Sequence, residues 1–302
     1  MNSPETHAAA PRVPWHGVLV ATALPLREDL SVDYERYAEH CAWLVAEGCD
    51  GVIPNGSLGE YQNLTPEERE AVVRTAVAAV GADRVVPGVA AYGAAEARHW
   101  AEVAADAGCP AVLLLPPNAY RADEEAVRAH YAEVAKAGLP IVAYNNPYDT
   151  KVDLTPELLA DLYQDGNIVA VKEFSGDVRR AYRLNELAPG LDLLIGADDV
   201  LLELAIAGAK GWVAGFPNAL PAATVRLYRA AVAGDLATAL PLYRQLHPLL
   251  RWDSRTEFVQ AIKLSMDFVG RYGGPCRAPR APLTGEQESA VRAATERARA
   301  SR

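Results

Sequence analysis

Half of the 302 residues are apolar, which suffices for one large domain with a full core plus an appendage, or for two ordinary domains, and rules out a disordered or fibrous chain. The formal charge of -10 gives no electrostatic basis for binding nucleic acid or an anionic membrane, and points to a protein that handles small molecules. No apolar run approaches the roughly 20 residues of a membrane span, and Cys41, Cys49, Cys109 and Cys276 show neither ligand spacing nor pairing, as expected of isolated thiols in a reducing cytoplasm.

The first 14 residues lack the basic-then-apolar order of a signal peptide and read as a loose tail. From Gly17 onward one unit recurs: a short apolar run, a turn, then an amphipathic helical stretch. The apolar runs are GVLVAT (17–22), GVIP (51–54), VVPGV (85–89), AVLLL (111–115), PIVAY (140–144), IVAVK (168–172), DLLIG (192–196) and KGWVAG (210–215), eight in all. Helix-start signals precede the intervening stretches at Asp33, Thr65-Pro66, Asp123 and Thr155-Pro156, and several stretches end at a glycine, as at Gly48, Gly108 and Gly138. Near-continuous apolar strands alternating with helices imply parallel strands buried on both faces, and eight units imply a closed (β/α)8 TIM barrel. An open doubly wound sheet is the other arrangement considered, but the G-x-G-x-x-G fingerprint is absent after the first run. After Pro217 only helices are predicted, at about 219–233, 235–250, 255–270 and 284–299, of which the first completes the barrel. The chain thus divides into a tail at 1–14, a barrel over 15–233 and a C-terminal helical appendage over 234–302, where such barrels often build an oligomer.

Catalytic groups of a (β/α)8 barrel sit at the C-terminal ends of its strands. Run two ends in NGSLGE (Gly56, Ser57, Leu58, Gly59, Glu60), run five in YNNP with Tyr144, and run six at Lys172. A buried lysine is penalised as an ammonium, so Lys172 is either paired, for instance with Glu60, or neutral enough to act as an amine nucleophile. As a nucleophile it would attack the C2 ketone of a 2-oxo acid, and the iminium would take up electrons from bonds broken beyond C3. Tyr144 is placed to move protons, and Gly56, Ser57, Leu58 and Gly59 to hold the substrate carboxylate through backbone N–H groups and a hydroxyl. Among the other polar groups, Asp198-Asp199 reads as a helix cap rather than a metal site, and Lys263 as the polar side of a helix.

Taken together, G-S-L-G-E at 56–60 followed by LTPEER at 64–69, Y-N-N-P at 144–147 and V-K-E-F-S-G at 171–176 resemble the dihydrodipicolinate synthase and N-acetylneuraminate lyase family of Schiff-base lyases, including the separation of 28 between Tyr144 and Lys172. The resemblance covers nearly the whole chain. It implies Lys172 as the Schiff-base lysine, Tyr144 as the acid/base tyrosine, Ser57 and the Leu58 amide as the carboxylate site, and Val213 as a backbone contact. It also implies a homotetramer built from tight dimers, with no metal or organic cofactor.

The departures from that pattern concern the substrate. Leu58 stands where a dihydrodipicolinate synthase has a second threonine. Asp149 stands where it has an arginine for the second substrate. Asn118 and Ala119 occupy the place of the tyrosine lent across the dimer, with Tyr120 close but displaced. The expectation is therefore a catabolic member that dehydrates or deaminates a 2-oxo sugar acid or a hydroxypyrroline carboxylate, with a pyruvate-dependent aldolase as the alternative. Two readings from other classes are a phosphate-binding isomerase using the IGADD and GWVAGFPN loops, and a non-catalytic barrel.

Overall fold

The computed structural model describes residues 12–300, so residues 1–11 of the expected tail lie outside the described residues. Seven parallel strands form one sheet: β1 (Gly17–Ala21), β2 (Gly51–Ile53), β3 (Val112–Leu114), β4 (Ile141–Asn145), β5 (Ala170–Glu173), β6 (Asp192–Ile195) and β7 (Gly211–Ala214). Their order is β2-β1-β7-β6-β5-β4-β3. The expected third run, 85–89, fills the gap between β2 and β3 and closes the ring, but as bridged extended chain. Val86 donates to the Val52 carbonyl, Gly88 to Pro54 and Val89 to Leu113, while Leu113 donates to Pro87. Pro87, in the middle of the run, has no N–H to give, which is why a regular ladder does not form there.

Around the ring pack α1 (Tyr34–Ala46), α2 (Pro66–Val80), α3 (Ala94–Asp106), α4 (Glu124–Ala135), the single-turn α5 (Pro147–Thr150), α6 (Pro156–Gln164), α7 (Arg179–Leu187), α8 (Leu201–Ile206) and α9 (Pro221–Val232). The cap residues behave as their chemistry requires. Asp33, Thr65, Asp123 and Thr155 each accept from a first-turn amide, and Thr65 with Glu68 makes a reciprocal capping box. Gly48, Gly108 and Gly138 take up left-handed φ after α1, α3 and α4.

Two apolar layers result from the alternation along each strand. Leu19, Ile53, Val86, Leu113, Val142, Ala170, Leu194 and Val213 fill the barrel interior, whereas their sequence neighbours face the helices. Three more helices follow, α10 (Leu236–Leu250), α11 (Phe258–Phe268) and α12 (Gly285–Arg299), which pack on one another and through α10 on α8 and α9. The connection between α10 and α11 lies over the C-terminal ends of the strands, where 253–256 join the wall of the central cavity.

Candidate active site

The parallel register of β4 on β5 sets Tyr144 beside Lys172. Both lie two residues after an interior position, Val142 and Ala170, so the period of the strand turns both inward. Lys172 is buried, with its Nζ 4.1 Å from the centroid of the Tyr144 ring and 5.6 Å from that of Phe174. Burial lowers the amine to about 8, and the charges of Asp253, Asp198 and Asp149 act in the opposite direction. No carboxylate lies within ion-pair distance of Lys172 among the described residues, and Glu60 is engaged elsewhere. Tyr144 receives a hydrogen bond from Asn146 Nδ2 at 3.3 Å. Burial, followed by the Asp253 charge, raises its phenol far above the usual value and keeps it protonated.

The loop after β2 opens into the same space. Asn55 has a left-handed φ of 57° and starts a turn closed by the Glu60 amide on the Ser57 carbonyl. Gly56, Ser57 and Leu58 line the cavity, and the amides of Ser57 and Leu58 donate to no protein group among the described residues. Gly59 lies behind them, where an added Cβ would sit 3.2 Å from the Thr22 carbonyl. Gly88 passes still closer to the loop, and a Cβ there would come within 2.4 Å of the Asn55 carbonyl oxygen.

Val213 and Asp149 also line the cavity, which has a volume of about 1030 Å³. The Asp149 carboxylate is exposed and held by Asn146 Nδ2 at 2.8 Å. The structure does not bring Tyr120 to the cavity wall: the residue is 59 % exposed and is not among those that line the cavity. Tyr61, which carries no motif signal, fills a place on that wall and receives a long hydrogen bond from Asn118 at 3.5 Å.

Two polar groups differ from the sequence reading. Asp198 is not a helix cap: its buried carboxylate accepts from Trp212 Nε1 at 2.9 Å and from the amides of Gly215 and Phe216 at 3.2 Å each. This occupies the very N–H groups that a phosphate site at the ends of β6 and β7 would need. Lys263 is not on a solvated face either; it is 2 % exposed and donates to Glu60 Oε1 at 2.9 Å and to the Pro275 carbonyl at 2.7 Å. Its position on α11 faces the ring because the neighbouring turns bury Ile262 and Met266. Arg277 closes the same join, its amide on Glu60 Oε2 and its guanidinium on both oxygens of Glu68 at 2.6 Å.

Asp253 is the group that sequence reasoning missed. It follows α10 in LLRWDSRTE, a stretch with no motif, and the fold carries it to the cavity wall, against Gly215 after β7. Among the described residues no group of three or more His, Cys, Asp or Glu is placed to hold a metal ion, and no helix is long and apolar enough to cross a membrane.

Residues 14–298 match the dihydrodipicolinate synthetase family. The chain is 34 % identical over 281 residues to a 4-hydroxy-tetrahydrodipicolinate synthase of Methanothrix thermoacetophila, covering 92 % of this chain and 95 % of that one. It is 34 % identical over 292 residues to the protein of the same name from Bartonella bacilliformis, covering 93 % and 97 %. Among solved structures, dihydrodipicolinate synthase from Aquifex aeolicus superposes with a TM-score of 0.88 at 27 % identity, over 93 % of this chain and 97 % of that one. A prophage protein of the dihydrodipicolinic acid synthase family from E. coli K12, solved in complex with pyruvate, superposes with a TM-score of 0.85 at 26 % identity, over 94 % and 98 %. A match across nearly the whole length, on a barrel whose strand ends gather the motif residues, places this chain in the dihydrodipicolinate synthetase family of enzymes.

Proposed function

We propose that the protein is a lyase of this family that captures a 2-oxo acid, or the C=N of a cyclic imine acid, as an iminium on Lys172. The observation that carries the reading is the buried amine, lowered to about 8, opening into a cavity shared with a protonated Tyr144 and with free amides of the 56–59 loop. A neutral amine attacks the ketone, and Tyr144 donates to the carbinolamine oxygen so that it departs as water. Ser57 and the amides of Ser57 and Leu58 receive the C1 carboxylate. The iminium then draws electrons from C3, and the hydroxyl or amine on C4 is expelled. Neither step calls for a metal or an organic cofactor.

Asp149 bears on what arrives at that iminium. An exposed carboxylate on the wall repels an anionic second substrate, so elimination from one substrate is favoured over condensation with an anionic aldehyde. Aldol cleavage of the C3–C4 bond is the second reading, since it uses the same iminium. The assembly that accompanies the reading is a homotetramer of tight dimers.

Reduction with borohydride in the presence of pyruvate tests the covalent centre. The expected result is a stable mass addition on the peptide bearing Lys172, absent in Lys172→Ala. Protein that stays unmodified at saturating pyruvate would sink the proposal.

A further inference from the structure

An asparagine side chain offers two N–H donors and one carbonyl oxygen, so its orientation follows from the groups around it. The two asparagines of the YNNP turn after β4 differ in what they hold. Asn145 ties neighbouring segments together: its Nδ2 donates to Glu173 Oε2 at 3.0 Å, and its Oδ1 accepts the Leu154 amide at 2.9 Å. Asn146 is 3 % exposed and lines the cavity, where its Nδ2 donates to Tyr144 Oη at 3.3 Å and to Asp149 Oδ2 at 2.8 Å. We propose that Asn146 is a positioning residue for Tyr144: its amide aims the phenol proton into the cavity and steadies the phenolate left when that proton has gone. The inference rests on Tyr144 serving an iminium on Lys172.

The amide is fixed in one orientation. Its Oδ1 caps α5 by accepting the Asp149 amide at 3.2 Å, while the Asp149 carboxylate takes one of the Nδ2 hydrogens. Turned over, it would set an oxygen against that carboxylate and an N–H against the Asp149 N–H. The backbone of Asn146 is held as well, its carbonyl accepting the Thr150 amide at 3.1 Å and the Thr150 hydroxyl at 2.8 Å. Pro147 then fixes φ at the first position of α5. With one Nδ2 hydrogen on Asp149, the other belongs to Tyr144.

A phenol oxygen that accepts from Asn146 turns its own hydrogen elsewhere. Among the described residues the Tyr144 hydroxyl has no second hydrogen-bond partner, and Ser57 and Leu58 on the same cavity wall make no bond to it. The Lys172 amine lies 4.1 Å from the centroid of the Tyr144 ring. The phenol proton is therefore offered to a molecule held at that amine.

The same contact serves the next state. Tyr144 gives its proton to the carbinolamine oxygen, the C2–O bond breaks with its electrons, water departs, and the nitrogen pair forms C2=N. Tyr144 is then a buried phenolate. Burial and the charges of Asp253 and Asp149 disfavour it, and the Asn146 N–H opposes them with a hydrogen bond that strengthens once its acceptor is charged. The phenolate takes a proton from C3, the C3–H electrons form C2=C3, and the iminium nitrogen regains its pair. Tyr144 ends as a phenol, and Asn146 moves no proton at all.

Exchange of the pyruvate methyl protons with solvent deuterium, followed by NMR, reads the C3 step, while timed borohydride quenching reads the rate of iminium formation. Asn146→Ser keeps an oxygen to cap α5 but is too short to reach the phenol. It is expected to be trapped completely at long times, with KM for pyruvate within about threefold of wild type, while iminium formation and saturating exchange each slow by about 10- to 100-fold. In a Tyr144→Phe background the same change should slow iminium formation by less than about threefold, because the bond it removes is already gone. Asn146→Asp, equal in size and equally able to cap, sets an acceptor beside the phenol oxygen and should lose at least as much. Unchanged rates in either variant, once trapped, overturn this inference alone. An equal slowing with and without the Tyr144 hydroxyl overturns it in favour of a loop that has lost its shape, and so does failure of both variants to fold by circular dichroism. A wild type that is not trapped overturns the Schiff-base reading, and this inference with it.

Discussion

Lys172 is a buried amine close to the rings of Tyr144 and Phe174, and burial makes its charge unwelcome there. Its folded value of about 8 lies below the ordinary lysine value, so the charged form is penalised in the folded state. The penalty is fully present below about pH 8 and fades as pH rises toward the unfolded value. Replacing Lys172 by Met removes it. Urea titration should show Lys172→Met more stable than the wild type by about 1–3 kcal/mol at pH 7, with the gain shrinking at higher pH, while trapping disappears. A variant less stable than wild type at pH 7 would mean that the aspartates around the site compensate the ammonium in full.

At the scale of the element, the 56–59 loop owes its shape to what passes beneath it. The 85–89 segment crosses under the loop at Gly88, against the Asn55 carbonyl. Gly88→Ala should displace the loop, raising KM for pyruvate in the exchange assay by about tenfold, with stability reduced by about 1–3 kcal/mol through overpacking. Retention of the wild-type KM would show that the loop tolerates the shift. The same segment marks the limit of reading elements from sequence. Its apolar pattern gave its place in the ring, but the effect of Pro87 on the ladder depends on its neighbours on both sides. The caps at Asp33, Thr65, Asp123 and Thr155 were legible because donor and acceptor lie within one turn. Lys172 and Tyr144 were legible because a strand end is a local place. Lys263 and Glu60 were not, because they meet across 203 residues and neither neighbourhood records the other. Asp253 was missed for the same reason, and Asp198 was misread because its partners lie on the next strand.

At the scale of the whole molecule, the buried Lys263–Glu60 pair joins α11 to the loop after β2, and Arg277 adds a clamp on Glu68 at the start of α2. Removing one partner leaves an uncompensated charge in the interior. Lys263→Met should cost about 3–5 kcal/mol, and the double replacement Lys263→Met with Glu60→Met should cost less than that single change. Chemical denaturation of the three variants measures the difference, and a double variant as damaged as the single one would assign the loss to packing.

The placement of Asp253 also limits how this protein could be rebuilt. Its carboxyl enters the cavity from the connection between α10 and α11, while the amine enters from β5. A recombinant chain stopping after α9 would have every motif residue of the strand ends and lack the wall that 253–256 supply, with Glu60 left without Lys263. Exchange of the last three helices between relatives would therefore change one wall of the cavity, and libraries aimed at new substrates should vary 253–256 together with the strand-end loops as one unit.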